Sequence, residues 1–248
     1  MAILVTRPVP DGEKTAAALR ARGHEALLSP MLRFEPVAFE DDDEIAFDGV
    51  ILSSANAVRA VAQHPIRSRL MPLPVFAVGE HTARVALDAG FARITVADGD
   101  AVSLRDRIVD RAAAGKLKKK AALCYLAGEN LTRDLAGELG ARGFTVVTHT
   151  AYRMVPIAGF SEAIGNAFRM GVIEAVMHYS RRSARAYLDA ARNDGVEISA
   201  LALPQCCISE AVATVLREAG AMQVAAARAP DEKALLDVVD RMVKASSS

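Results

Sequence analysis

The sequence predicts an α/β protein of two parallel-sheet domains, and three observations carry that expectation. Short β-branched apolar runs alternate with alanine-rich helical runs from one end of the chain to the other, the pattern of parallel strands covered by helices. The strand candidates are too many for one ordinary open sheet and divide into two sheets of about five. The chain also repeats itself. With 248 residues, 52% of them hydrophobic and 24% charged, it has material for two cores of ordinary size and needs neither metal nor disulfide to hold them.

In chain order the expected strands begin with Ala2–Thr6, where Ile3-Leu4-Val5 is stopped by Thr6-Arg7-Pro8, and continue with Glu25–Leu28, Gly49–Ser53, Val75–Val78 and Ile94–Val96. Ala122–Leu126, Thr145–Thr148, Ala175–Tyr179, Ala200–Leu203 and Val224–Ala227 follow. Between them the repeats fall in order. Leu19-Arg20-Ala21-Arg22-Gly23 returns as Leu139-Gly140-Ala141-Arg142-Gly143, each closing a helix that leads into a strand. Ser53-Ser54-Ala55-Asn56-Ala57-Val58-Arg59-Ala60 has its counterpart in Tyr179-Ser180-Arg181-Arg182-Ser183-Ala184-Arg185-Ala186. Val78-Gly79-Glu80-His81-Thr82-Ala83, ending at Ala89-Gly90, returns as Ile208-Ser209-Glu210-Ala211-Val212-Ala213, ending at Ala219-Gly220. Ordered matches at nearly constant spacing indicate duplication.

Arg33-Phe34-Glu35-Pro36-Val37 and Tyr152-Arg153-Met154-Val155-Pro156 hold equivalent places in the two repeats and read as extended crossings between domains. On that reading residues 38–150 form a domain inserted into a discontinuous one of 1–34 and 155–248, with linker crossings at 33–38 and 150–156. The acidic run Glu40-Asp41-Asp42-Asp43-Glu44 and the basic run Lys116-Leu117-Lys118-Lys119-Lys120 read as solvated surface.

The formal net charge is zero, from 30 basic and 30 acidic residues, so there is no basic excess to attract nucleic acid or an anionic membrane. No apolar run is long enough to span a bilayer, and no leader is visible, so a cytoplasmic protein, working as a monomer, is expected. Cys124, Cys206 and Cys207 have no paired spacing and read as free thiols. The five histidines form no HxH or HExxH pattern, and Walker, GxGxxG and GxSxG sequences are missing, so neither a metal nor an organic cofactor is expected.

In parallel sheets a ligand lies beyond the carboxyl ends of the strands. The residues that follow the strands are Thr6-Arg7-Pro8, Ser53-Ser54-Ala55-Asn56, Gly79-Glu80-His81-Thr82, Ala127-Gly128-Glu129-Asn130, Ser180-Arg181-Arg182-Ser183 and Ser209-Glu210. Each group reads as a helix cap or as a set of donors for carboxylate or phosphate. Their number favours a composite anion pocket in a cleft between two facing domains. Arg7, Arg153, Arg181 and Arg182 could add charge-assisted bonds there. Tyr152 either packs in the crossover or presents its phenol to the cleft as a proton donor.

Taken in order, Leu4-Val5-Thr6-Arg7-Pro8, Ile51-Leu52-Ser53-Ser54-Ala55-Asn56, Phe76-Ala77-Val78-Gly79-Glu80-His81-Thr82-Ala83, Tyr125-Leu126-Ala127-Gly128-Glu129, Tyr152-Arg153 and Tyr179-Ser180-Arg181-Arg182-Ser183-Ala184 resemble the uroporphyrinogen-III synthases along essentially the whole chain. The resemblance implies two flavodoxin-like domains joined by a two-stranded linker, with a cofactor-free site in the interdomain cleft. It implies hydroxymethylbilane, a linear tetrapyrrole with eight carboxylates, as substrate. Tyr152 matches the family tyrosine thought to assist loss of the terminal hydroxyl. Thr6, Ser53, Ser54, Asn56, Gly79, Thr82, Gly128 and Ser180 match positions that line the cleft or hold carboxylates, and the strand-end reading adds Arg7 and Ser209. Ser209 and Val212 stand where the family has Gly and Thr, so that turn departs from the family pattern, although Ser209 can still cap its helix. A two-domain anion-binding protein or a nucleotide-sugar-dependent glycosyltransferase is the competing reading. The first would leave its ligand unchanged and the second would need a nucleotide donor.

Overall fold

The computed structural model describes residues 1–41, 44–131 and 133–246, with side chains to 244. In chain order, β1 (Ala2–Val5), α1 (Asp11–Ala21) and β2 (Glu25–Leu28) lead through β3 (Leu32–Pro36) to β4 (Gly49–Leu52), α2 (Ala55–Val61), α3 (Arg67–Leu70), β5 (Val75–Ala77), α4 (Glu80–Asp88), β6 (Ile94–Val96), α5 (Ala101–Ala113), β7 (Ala122–Gly128) and α6 (Leu135–Gly140). The long β8 (Thr145–Pro156) then returns to α7 (Glu162–Arg169), β9 (Ile173–His178), α8 (Arg181–Asn193), α9 (Glu197–Ala202), β10 (Gln205–Cys207), α10 (Glu210–Glu218), β11 (Val224–Ala226) and α11 (Glu232–Ser246). The chain forms two compact units, residues 1–33 with 155–248 (unit 1) and residues 34–154 (unit 2).

These are two α/β parallel-sheet domains joined by a linker. Unit 1 holds a sheet ordered β11-β10-β9-β1-β2, and the second sheet is ordered β3-β8-β7-β4-β5-β6. Read along its chain, the first has the flavodoxin order 2-1-3-4-5. The second has the same spatial series entered at a different strand, so β4, β5, β6, β7 and β8 correspond to β9, β10, β11, β1 and β2. The repeated segments fall on corresponding elements under this permutation. Gly23 and Gly143, which end the first repeat, both follow a helix with φ near +90° (+87° and +91°), the left-handed turn that glycine supplies without steric cost.

Alternation along each strand gives both faces of the second sheet a core. Val50 and Leu52 of β4 pack with Cys124 and Leu126 of β7 under α2, while Ile51, Leu123 and Tyr125 face the other way toward α5 and α6. In unit 1, Ile3 and Val5 pack with Ala175 and Met177 against α11. Burial pushes the thiols of Cys124, Cys206 and Cys207 up to about 12, so all three are protonated core residues. No helix among the described residues is long and apolar enough to cross a membrane.

Three expectations are corrected. Ala200–Leu203 is not a strand: α9 runs to Ala202, Leu203 turns extended before Pro204, and the strand is Gln205–Cys207. The strand expected at Thr145–Thr148 continues to Pro156, because its far half pairs with β3; Val37 N–H bonds the Ala151 carbonyl at 2.9 Å and Ile157 N–H the Met31 carbonyl at 3.0 Å, an antiparallel arrangement. Asp41 is not solvated surface, since its carboxylate is largely buried against Arg69 at 2.5 Å. Asp42 and Asp43 of the same run lie outside the described residues.

Candidate active site

In the second sheet the crossovers leave β4 and β7 in opposite directions, which makes the gap beyond their carboxyl ends the topological switch point. A cavity of about 380 Å³ opens there. Three of the predicted residues line it: Ser53 just after β4, Gly128 at the end of β7, and Tyr152 in β8. Tyr125, Asp100 and Arg133 line it too. Asp100 caps α5, accepting the Ser103 N–H at 2.7 Å, and Arg133 pairs with Glu138. Arg133 and Arg105 together hold the Glu138 carboxyl below its ordinary range.

Tyr152 is seated by the backbone. The β7–β8 register shifts between Ala127 and Gly128, which sets Gly128 opposite Tyr152, and Glu129 N–H bonds the Tyr152 carbonyl at 2.9 Å. A Cβ on residue 128 would lie 2.7 Å from Tyr152 Cζ and 2.9 Å from its hydroxyl oxygen, so only glycine lets the phenol cross the strand end. Phe34 stacks on the ring at 5.9 Å. Arg153, the next residue, is engaged elsewhere, its Nε 2.8 Å from Glu35.

Other predicted residues of this unit stand outside the cavity lining. Ser54 caps α2, accepting from Asn56 N–H at 3.2 Å, and the Asn56 side chain contacts Met154 Sδ and accepts from Arg59. Gly79 opens α4 in an extended conformation with no side-chain cap, and Thr82 is buried one turn further on.

In unit 1 several side chains at the ends of β1 and β9 are engaged with the protein's own groups. Thr6 is fully buried and donates its hydroxyl to the Met177 carbonyl at 2.7 Å. Arg7 lies over the Tyr179 ring at 4.5 Å and pairs with Glu232 at 2.8 Å. The other oxygen of Glu232 accepts from Thr15 at 2.7 Å and from Tyr179 at 2.9 Å. Burial, reinforced by that carboxylate, pushes the Tyr179 phenol up. Ser180 caps α8, accepting from Ser183 N–H at 3.1 Å. Ser209 does not cap α10 with its side chain: the amides of Val212 and Ala213 take its carbonyl instead.

Sequence reasoning missed Tyr125, whose place in an alternating buried strand looks like plain core, and Glu232, which meets Arg7 across 225 residues of chain with no local signal. Among the described residues no group of three or more His, Cys, Asp or Glu is placed to hold a metal ion.

The family described as Uroporphyrinogen-III synthase HemD matches residues 13–237. The chain belongs to the uroporphyrinogen-III synthase family. Its fold is similar to that of the crystal structure of uroporphyrinogen-III synthetase from Helicobacter pylori, at 17% identity over 97% of this chain and 99% of that one, with a TM-score of 0.66. It is also similar to a mutant uroporphyrinogen III synthase from the extremely thermophilic bacterium Thermus thermophilus, at 17% identity over 99% and 100% of the two chains, with a TM-score of 0.57. At such identity these two likenesses bear on the fold, and family membership of the uroporphyrinogen-III synthase type rests on the match along the sequence. No curated protein matches the chain.

Proposed function

We propose that this chain is a working uroporphyrinogen-III synthase: it closes hydroxymethylbilane to a macrocycle with inversion of ring D and loss of water. The observation that carries this reading is the seat of Tyr152, a phenol laid across Gly128 at the switch-point cavity beside the Ser53 hydroxyl. At about 380 Å³ the cavity is at the lower end of small-molecule sites and suits one end of a linear tetrapyrrole. There Tyr152 donates a proton to the departing terminal hydroxyl, which leaves as water.

Every remaining step uses bonds of the substrate. Loss of the hydroxyl leaves an electrophilic azafulvene on ring A. The substituted carbon of ring D attacks it and gives a spiro pyrrolenine; the bond from ring C to ring D then breaks and reforms at the unsubstituted carbon, whose proton leaves as the pyrrole regains aromaticity and replaces the one that Tyr152 gave up. No electrons are gained or lost overall, so the reaction calls for no redox or group-carrying cofactor. The protein's task is to fold the chain, assist the leaving group and prevent direct closure. Hydroxyl and amide donors at the strand ends suit a substrate rich in carboxylates.

The test is incubation with freshly made hydroxymethylbilane and separation of the product isomers. The inverted isomer should predominate over the non-inverted one that forms spontaneously. A mixture no different from buffer alone would overturn the function.

A further inference from the structure

Tyr125 sits in β7 with its ring in the core beneath α5 and α6, and only 3% of the residue is exposed. A buried phenol needs a hydrogen-bond partner. Here the partner is a side chain of the cavity: Tyr125 donates to Ser53 Oγ at 3.0 Å. A serine hydroxyl has one proton and two lone pairs. With one lone pair committed to Tyr125, the Ser53 proton has no other partner among the described residues, and the cavity is where it can be used. Burial pushes the Tyr125 phenol up against the opposing pull of Ser53, and Tyr152 adds to the rise, so Tyr125 stays a protonated donor.

We propose that Tyr125 is a positioning residue, holding the Ser53 hydroxyl so that Ser53 donates its proton to a substrate carboxylate in the cavity. Resting on the function proposed above, this assigns the two hydroxyl-bearing walls different work. A side-chain carboxylate of the substrate is unchanged by the reaction, so a bond to it is equally strong before and during the chemistry and appears in KM. Tyr152 acts on the leaving group and appears in kcat.

A double-mutant cycle on the full-length protein tests this, with kcat, KM and the unfolding midpoint measured for wild type, Tyr125→Phe, Ser53→Ala and the double variant. Each single change should raise KM about tenfold, the scale of one hydrogen bond to a charged group, with kcat nearly kept. The double variant should also show about tenfold, because Tyr125 acts through Ser53. Additive effects of about a hundredfold in the double variant would mean independent roles and overturn the inference. So would unchanged KM in either single variant, or a fall confined to kcat. Should Tyr125→Phe fail to fold, Ser53→Ala decides: raised KM supports the assignment and unchanged KM overturns it. A wild type that converts no hydroxymethylbilane defeats the function and this inference together, whereas an active wild type with additive variants defeats this inference alone.

Discussion

Gly128 and Tyr152 occupy one place in the paired strands β7 and β8, and a single methyl group on residue 128 would collide with the phenol. Tyr152→Phe removes the hydroxyl but keeps the ring and its stack on Phe34, so turnover should fall roughly 10²-fold, the scale of general acid catalysis, while the unfolding midpoint barely moves. Gly128→Ala should lower turnover by a similar factor with the Tyr152 hydroxyl still present, because the ring must leave its seat. Steady-state kinetics and thermal unfolding of both variants check this. Wild-type turnover in Gly128→Ala would show that the seat does not matter. Ser53 and Gly128 could be picked out because strand ends can be read from local pattern, whereas Tyr152, inside β8, was singled out only by its place in the crossing and by the family resemblance. The commitments of Thr6 to Met177 and of Arg7 to Glu232 were not legible, because they are made across the length of the chain.

Between β9 and β10 the same difficulty appears in a whole element. Ala200-Leu201-Ala202 is apolar enough to suggest a strand, whereas Gln205-Cys206-Cys207 has no β-branched residue, and only pairing with β9 and β11 makes it one. Gln205 is there to complete a buried polar contact. His178, fully buried at the end of β9, is 2.8 Å from Gln205 Oε1, and the Gln205 amide donates to the carbonyls of Ala200 and Leu203. Oε1 only accepts, so His178 Nε2 carries the proton and Nδ1 is left without a partner among the described residues. Burial lowers the His178 pKa from 6.5 to about 4. The unfolded chain therefore takes up a proton that the folded one refuses in this window. Stability present above pH 6.5 is lost as pH falls toward 4, by on the order of 3 kcal/mol for a shift of this size. Urea unfolding at several pH values should show this decline in wild type and a much smaller one in His178→Gln. Equal slopes would mean that other groups control acid stability.

At the scale of the molecule, one sheet order is used twice, and the point at which the chain enters it differs. The sequence repeats revealed the duplication because helix-ending glycines and strand-end hydroxyls keep their local role wherever the chain begins. They could not reveal the permutation, which is a property of strand neighbours. Its consequence is unequal independence. Both hydrophobic cores of the second sheet are built from buried residues between Phe47 and Ala151, and the bond from Val37 N–H to the Ala151 carbonyl holds the ends of that stretch together. The excised segment 34–154 should therefore fold cooperatively alone, at an ordinary domain size. Residues 155–248 should not, because β1 lies between β9 and β2 and supplies Ile3 and Val5 to the core. Since Ile157 N–H bonds the Met31 carbonyl, joining residue 33 to residue 155 through a short glycine-rich linker should restore a folded unit 1. Far-UV circular dichroism and urea unfolding of the three proteins decide the matter: a disordered 34–154 segment would refute its independence, and a cooperatively folded 155–248 segment would show that β1 is dispensable.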